Sequence, residues 1–399
     1  MQERAYVKEF EKLGFGMFVH FGLYSVAGKG EWHLHHCSDA EREAYKTLPA
    51  KFKVAKNWAT ELVKTAKHAG CKYITLTTRH HDGFSLYDTC GLNDYDAPHS
   101  ACGRDLVREF ADACRAYGIL PVFYHTLLDW HHPEYNGDFP KYLAYLRDSV
   151  RLLCTNYGKI GGIWFDGWWN KKEADWEEDA LYGMIRSLQP DAMIMNNFGM
   201  SRRGATGHYE IDSVLFERGR PFAVNNSDRP RAGEMCDVLN DHWGYAANDC
   251  NYKSIPSLIE ELVNCRRWNC NFLLNVGPKG NGMLKPLDRA MMEEIGKWVK
   301  STGDFIYRVR GCDMEAEGAY IVTDGKYYYA VVENVPMRGD QNVTVGYPCG
   351  AIKIITDQPL RNAIWLDSGE AADVDGNTVA IKPFPYGTSR YIRVLRFEL

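Results

Sequence analysis

No stretch of this 399-residue chain is apolar for longer than one buried strand, so nothing in it has the length of a membrane-spanning helix. Neither sign of charge dominates. The 47 Lys and Arg set against 52 Asp and Glu leave a formal charge of −5, which provides no basic face for nucleic acid. Low-complexity tracts and long blocks of like charge are missing too, which excludes a disordered tail as the main feature. Residues Met1 to Phe10 alternate charged and apolar side chains without a continuous apolar core, so no secretory leader is read there and a cytoplasmic protein is expected. Twelve cysteines contain no CxxC pair, and several fall inside expected helices or strands, as Cys71, Cys114 and Cys154 do. They read as reduced structural thiols rather than a disulfide framework. The glycine-rich Gly277 to Gly282 lacks the Lys-Ser/Thr of a phosphate loop. His33, His35 and His36 cluster, but no partner motif completes a metal site, so they read as loop or helix surface and neither metal nor cofactor is expected. Nothing speaks for or against a homo-oligomer.

What the chain does have is a series of short apolar runs that end on polar residues. Gly161-Gly162-Ile163-Trp164-Phe165-Asp166 is the most informative, because a buried strand stops at an acid, glycine turns the chain, and Trp168 and Trp169 follow. Alone, this is equally an aspartate capping the next helix. The pattern recurs, however. The stretch Gly16 to Gly22 carries His20 after its apolar run, Lys72 to Thr78 delivers His80 and His81, and Ile119 to Tyr124 leads into His125, Asp129 and Trp130. Ala192 to Asn196 precedes Asn197, Ser213 to Phe216 runs into Glu217, and Glu234 to Leu239 and Asn271 to Val276 complete eight expected strands. Segments with helical spacing lie between most of them: 58–69, 105–117, 141–157, 176–188 and 255–268. This alternation predicts an α/β fold, a (β/α)8 barrel over 1–310, in which polar residues at the C-terminal strand ends build the active site.

From about Gly311 the pattern changes. After an amphipathic segment at 286–301, the rest reads as strands only, beginning with a hairpin of 319–323 and 326–332 around Asp324-Gly325. A small antiparallel β-sandwich over 311–399 is expected.

Aromatic faces beside a carboxylate suit a sugar site, since rings pack on the apolar side of a pyranose while the acid attacks or stabilises the anomeric carbon. Retaining hydrolysis needs two carboxyl groups, a nucleophile and an acid/base. Asp166 is the nucleophile candidate. Glu217 closes its own strand and is favoured as acid/base, with Glu234 as the alternative.

Several stretches resemble the family 29 glycoside hydrolases, the α-L-fucosidases: 17–26, Gly30-Glu31-Trp32, Arg79 to Phe84, Trp164 to Gly167, His242 to Tyr245 and Phe272 to Pro278. The resemblance implies a barrel with a C-terminal β-sandwich and retaining hydrolysis of terminal α-L-fucose from fucosylated oligosaccharides or glycoconjugates. It aligns Asp166 with the nucleophile, and His20, Glu31, Trp32, His80, His81 and Trp164 with the fucose pocket. The acidic motif at Glu234 carries Gly233 where relatives have Trp. Tyr124-His125-Thr126 stands where relatives commonly show Tyr-Tyr-Ser, so His125 is expected to replace a tyrosine at the sugar beside Tyr124. Asn197 is followed by Phe198 where many relatives carry arginine, so that contact is expected either to be missing or to be supplied by Arg202 or Arg203. A related glycosidase of different sugar or linkage preference is the alternative reading. A metal-dependent barrel hydrolase and a non-catalytic sugar binder are the rivals from other classes.

Overall fold

The computed structural model describes residues 4–200, 202–224, 229–332, 350–382 and 391–399. Eight parallel strands form one sheet: β1 (Phe15–Val19), β2 (Tyr73–Arg79), β3 (Leu120–Thr126), β4 (Gly162–Asp166), β5 (Met193–Asn196), β6 (Ser213–Glu217), β7 (Ala232–Val238) and β8 (Cys270–Val276). Hydrogen-bonded neighbours run β5-β4-β3-β2-β1-β8-β7-β6, the order of a barrel opened at a single seam. Almost every residue of these strands is buried, because parallel strands are covered on both faces. Successive side chains point to opposite faces. Phe18, Tyr73, Val122, Tyr124, Trp164, Met195, Leu215 and Leu273 therefore fill the interior. Their alternates Met17, Val19, Ile74, Phe123, Ile163 and Phe165 pack outward under the helices.

Those helices are α1 (Ala5–Glu11), α2 (Trp58–Ala69), α3 (Leu106–Tyr117), α4 (Phe139–Asn156), α5 (Glu178–Leu188), α6 (Ile255–Arg267) and α7 (Pro286–Ser301), with shorter turns of helix between β1 and α2. The local sequence sets their ends. Asp105 accepts from the Arg108 amide at 2.9 Å to start α3, and Ser254 followed by Pro256 starts α6. Gly70 at φ +89° closes α2, where a side chain would be strained. The strict alternation fails in one quadrant. Neither the β5–β6 nor the β6–β7 crossover carries an α-helix among the described residues; the first has only the 3₁₀ turn Phe198–Met200.

The seam between β5 and β6 is closed by a side chain. The Asp212 amide donates to the Ile194 carbonyl at 2.8 Å, and the Ile194 amide donates to Asp212 Oδ2 at 3.0 Å. The same buried carboxylate takes Arg4 Nη1 at 2.8 Å, Arg186 Nη2 at 2.8 Å and Arg229 Nη2 at 3.1 Å. Asp212 thus substitutes for a missing ladder bond and gathers cations from the residue preceding α1, from α5 and from the β6–β7 crossover.

The remaining strands make two antiparallel sheets. The five-stranded sheet contains 319–323, 328–332, 361–365, 394–398 and the short strand Arg310–Gly311, which straddles the expected 310/311 boundary. One of its faces, with Ala319, Ile321, Ala330, Val332, Leu395 and Phe397, packs on Ile352, Ile354 and Val379 of the four-stranded sheet. Its other face, with Tyr320, Val322, Tyr329, Val331 and Val394, joins the barrel's helical layer. Trp298 of α7 donates to the Ile392 carbonyl at 2.8 Å across that contact. The expected hairpin is present, with the second strand starting at Tyr328 because Asp324 Oδ1 holds the amides of Lys326 and Tyr327 in the turn. The described cysteines are all unbridged, and Cys349 lies outside the described residues.

Removing the Asp212 carboxylate leaves three guanidiniums and a strand amide without their common partner. Asp212→Ala is expected to lower unfolding free energy by about 3–5 kcal/mol, read from urea denaturation, as for other broken buried ion pairs. A loss below about 1 kcal/mol would show that the seam is held by packing alone.

Candidate active site

At the C-terminal ends of the barrel strands lies a cavity of about 450 Å³, counting its open mouth, lined among others by Phe18, His20, Trp32, His80, His81, Tyr124, Trp164, Asp166 and Glu217. Asp166, the last residue of β4, has a side chain 15% exposed, which leaves it open to a ligand. It accepts from Tyr124 Oη at 3.0 Å, from Asn197 Nδ2 at 3.2 Å and from Trp169 Nε1 at 3.3 Å, and His81 Nε2 stands 3.5 Å away. Glu217, the last residue of β6, accepts from the same Asn197 Nδ2 at 2.7 Å. One amide group therefore spends its two N–H bonds on two carboxyl groups. Burial and the neighbouring Asp166 charge push the Glu217 pKa up to about 7, against the opposing pull of the Asn197 hydrogen bond.

Glu234 sits deeper. It lies two residues earlier along β7 than Cys236, the partner of Glu217 in the register, and does not line the cavity. Its oxygens accept from Tyr73 Oη at 2.6 Å and Trp164 Nε1 at 2.8 Å, which fixes the Trp164 ring in the cavity wall. Burial raises its pKa to about 7 as well.

The histidines are neutral and oriented. Asn275 donates its amide to the Trp243 carbonyl at 2.7 Å, so its oxygen receives His20 Nδ1–H at 2.7 Å. His20 Nε2 is then an acceptor, and burial lowers the ring's pKa to about 3. His81 Nδ1 pairs with Thr126 Oγ1 at 2.7 Å, and His80 lies parallel to the Tyr124 ring with centroids 5.5 Å apart. Burial lowers the pKa of both rings.

Three sequence-based expectations are corrected. His125 is not at the cavity. Its neighbour Tyr124 points inward, so by the two-residue period His125 faces the helices, contacting Tyr87 Oη at 3.3 Å through Nε2. Glu31 is buried beside the cavity without lining it, because its carboxylate turns to accept the Gly244 amide at 2.7 Å. Arg202 and Arg203 are exposed and also miss the cavity, since the chain after the 3₁₀ turn carries them onto the rim. Asn197 was visible only as a strand-end residue, while Trp169, Met200, Cys236 and Trp243 complete the lining. His35 and His36 pack on Trp130 and Trp32, and among the described residues no group of three or more His, Cys, Asp or Glu side chains has metal-binding geometry.

A sequence model of the Alpha-L-fucosidase family matches residues 1–304. The chain belongs to the α-L-fucosidase family. It is 27% identical to the tissue alpha-L-fucosidase of Rattus norvegicus over 424 aligned positions, covering 97% of this chain and 88% of the rat protein. Among solved structures it is similar to alpha-L-fucosidase isoenzyme 1 of Paenibacillus thiaminolyticus, at 30% identity and TM-score 0.82 with 99% of both chains covered. A Bacteroides thetaiotaomicron alpha-L-fucosidase, trapped as a covalent intermediate with 2-fluoro-fucosyl fluoride, shares the fold at TM-score 0.80 and 22% identity, over 100% of this chain and 96% of that one. This chain is thus a fucosidase-family glycoside hydrolase whose cavity, at the strand ends, holds two carboxyl groups on one amide.

The electrostatics of that pair have a cost. A carboxyl whose folded pKa is raised above its ordinary value binds its proton more tightly in the folded state, so stability is lost as pH rises from about 4.5 through about 7. Glu217→Gln is expected to stabilise the protein at pH 8 by on the order of 1–3 kcal/mol and to change little at pH 4. Urea midpoints at the two pH values check this, and equal shifts at both would refute it.

Proposed function

We propose that this fucosidase-family member is a retaining exo-α-L-fucosidase that releases terminal α-L-fucose from fucosylated glycans by double displacement. The observation carrying the proposal is the Asn197 amide shared by Asp166 and Glu217. Two oxygens at 3.2 and 2.7 Å from one nitrogen are no more than about 6 Å apart, in keeping with the about 5–5.5 Å of retaining pairs and short of the about 6.5–9.5 Å that inverting pairs leave for water.

In this reading Asp166 attacks the anomeric carbon, its lone pairs aimed by Tyr124, Asn197 and Trp169. Glu217, protonated below its pKa of about 7, gives its proton to the departing glycosidic oxygen. Forming the glycosyl ester removes the Asp166 charge, and with it one of the causes that raise the Glu217 pKa. Glu217 is then a carboxylate, ready to take a proton from the water that attacks the ester. His20 Nε2 accepts a hydrogen bond from a sugar hydroxyl. Phe18, Trp164 and Trp243 offer an apolar wall for the C5 methyl group of a 6-deoxy sugar. Glu234, held by Tyr73 and Trp164, supports that wall and takes no part in proton transfer.

Removing a general acid harms natural leaving groups far more than nitrophenolate, which departs unprotonated. Glu217→Ala is expected to lose oligosaccharide hydrolysis disproportionately, and azide should rescue it on an aryl fucoside with retained configuration. Asp166→Asn should lose turnover on every substrate by several orders of magnitude. Glu234→Ala showing the azide rescue instead of Glu217→Ala would exchange the roles.

The methyl-binding wall predicts specificity. An aryl α-L-fucoside should have a kcat/KM well above that of the aryl α-L-galactoside, which differs only by a hydroxyl on C6, because burying that hydroxyl without a partner costs about 1–3 kcal/mol. Equal kcat/KM values would mean that the site accepts a different sugar.

A further inference from the structure

Four arginines crowd the two loops beside Glu217: Arg202 and Arg203 after β5, and Arg218 and Arg220 after β6, all exposed. Their fixed partners carry no full charge. Arg203 Nη2 donates to the Arg220 carbonyl, binding one loop to the other, and its guanidinium lies 6.0 Å from the Phe222 ring. Arg218 Nη2 donates to the Asp241 carbonyl at 2.7 Å, and its guanidinium lies 5.4 Å from the ring of Trp243, a wall of the cavity. Arg220 lies 6.0 Å from the Tyr320 ring. Glu261 feels the charge of Arg220 and pairs with none of the four. No carboxylate among the described residues makes an ion pair with these arginines, in a chain whose net charge is −5. The contrast with Arg4, Arg186 and Arg229, all gathered on Asp212, is direct.

Carbonyls and ring faces hold a guanidinium in place without neutralising it, so its remaining N–H groups face solvent as oriented, charged donors. The backbone supports this placement. Arg218 adopts φ +52°, a conformation that side-chain-bearing residues rarely take, immediately after the acid Glu217, and Gly219 follows at φ +70°. The turn throws Arg218 outward over Trp243 while Glu217 stays in the cavity. Met200, 51% exposed, and Phe222, 42% exposed, put apolar surface among the charges.

We propose that this rim is an anion-binding subsite for the leaving half of the substrate, recognising a sulfate ester or a sialic acid carboxylate on the sugar that carries the fucose. The inference rests on the reading of Glu217 as general acid, because the acid faces the departing oxygen and the carrier sugar must then lie over these two loops. Both anions are oxyanions that a planar guanidinium binds bidentately, and both reach the rim only as parts of a glycan whose fucose occupies the cavity. Met200 and Phe222 supply the contact for the carrier ring's apolar face.

The test compares kcat/KM for a fucosylated N-acetyllactosamine in neutral, sulfated and sialylated forms, with 4-nitrophenyl α-L-fucoside as a carrier-free reference. The intact protein is assayed at low salt and at 0.5 M NaCl. One or both anionic forms should exceed the neutral form by about 5-fold or more at low salt, and the ratio should fall toward one at high salt. Whichever anion is preferred identifies the group. Arg203→Gln and Arg218→Gln should each lower the anionic-to-neutral ratio by about 2-fold or more, and the pair should erase it, while Arg218→Lys should keep part of it. Because the readout is a ratio within one protein sample, a partly misfolded variant does not mimic the effect. A neutral form cleaved as well as both anionic forms, with the aryl fucoside turned over normally, overturns the subsite alone, as does a ratio unchanged in the double variant. Failure to hydrolyse the aryl fucoside at all overturns the underlying function and the subsite together.

Discussion

Two carboxyl groups that share one amide inside a cavity largely closed to solvent cannot both be ionised cheaply, and the architecture is arranged around that fact. Asp166 ends β4, Asn197 follows β5 and Glu217 ends β6, so the pair exists only if three consecutive strands end at one level. The β5–β6 junction is the one place where the barrel lacks a regular ladder. Asp212 fastens it from the opposite end, with its carboxylate standing in for a backbone acceptor and its charge spread over Arg4, Arg186 and Arg229. The repulsion at the top acts between β4 and β6 and the attraction at the bottom between β5 and β6, so β6 carries both.

Much of this was legible in the sequence. Apolar runs stopping at polar residues located all eight strands, helical spacing located every long helix except Ala5–Glu11, and the positions of Asp166 and Glu217 at strand ends put them at the cavity. Orientation was harder to read. A strand end offers two adjacent side chains of opposite direction, and only the register with β2 and β4 decides that Tyr124 enters the barrel and His125 leaves it. Glu234 raises the question of depth rather than direction. It points inward like Cys236, one layer too low to reach a ligand. Asn197 presented the reverse difficulty, since two asparagines stand side by side and nothing local says that Asn196 turns outward to Tyr182 while Asn197 turns to the acids. A loop residue such as Glu31 takes its aim from a partner distant in sequence, the Gly244 amide, which no local pattern encodes.

The C-terminal strands were predictable as strands but not as a part of the barrel's cover. The five-stranded sheet is packed on both faces, by its partner sheet and by the helical layer, which is why 319–323 reads as a buried run without the polar alternation of a half-exposed strand. Its burial against α6 and α7 makes the smaller unit a structural extension of the larger one.

The quadrant without helices has a consequence for how such a protein diversifies. Where a crossover helix covers a strand, insertions and deletions are constrained by the need to keep that helix packed. After β5 and β6 there is no such helix among the described residues, so the two loops answer only to the few contacts that pin them. The half of the cavity rim that follows β5 and β6 can therefore change length without unpacking a helix, while the half that follows β2, β3 and β4 cannot.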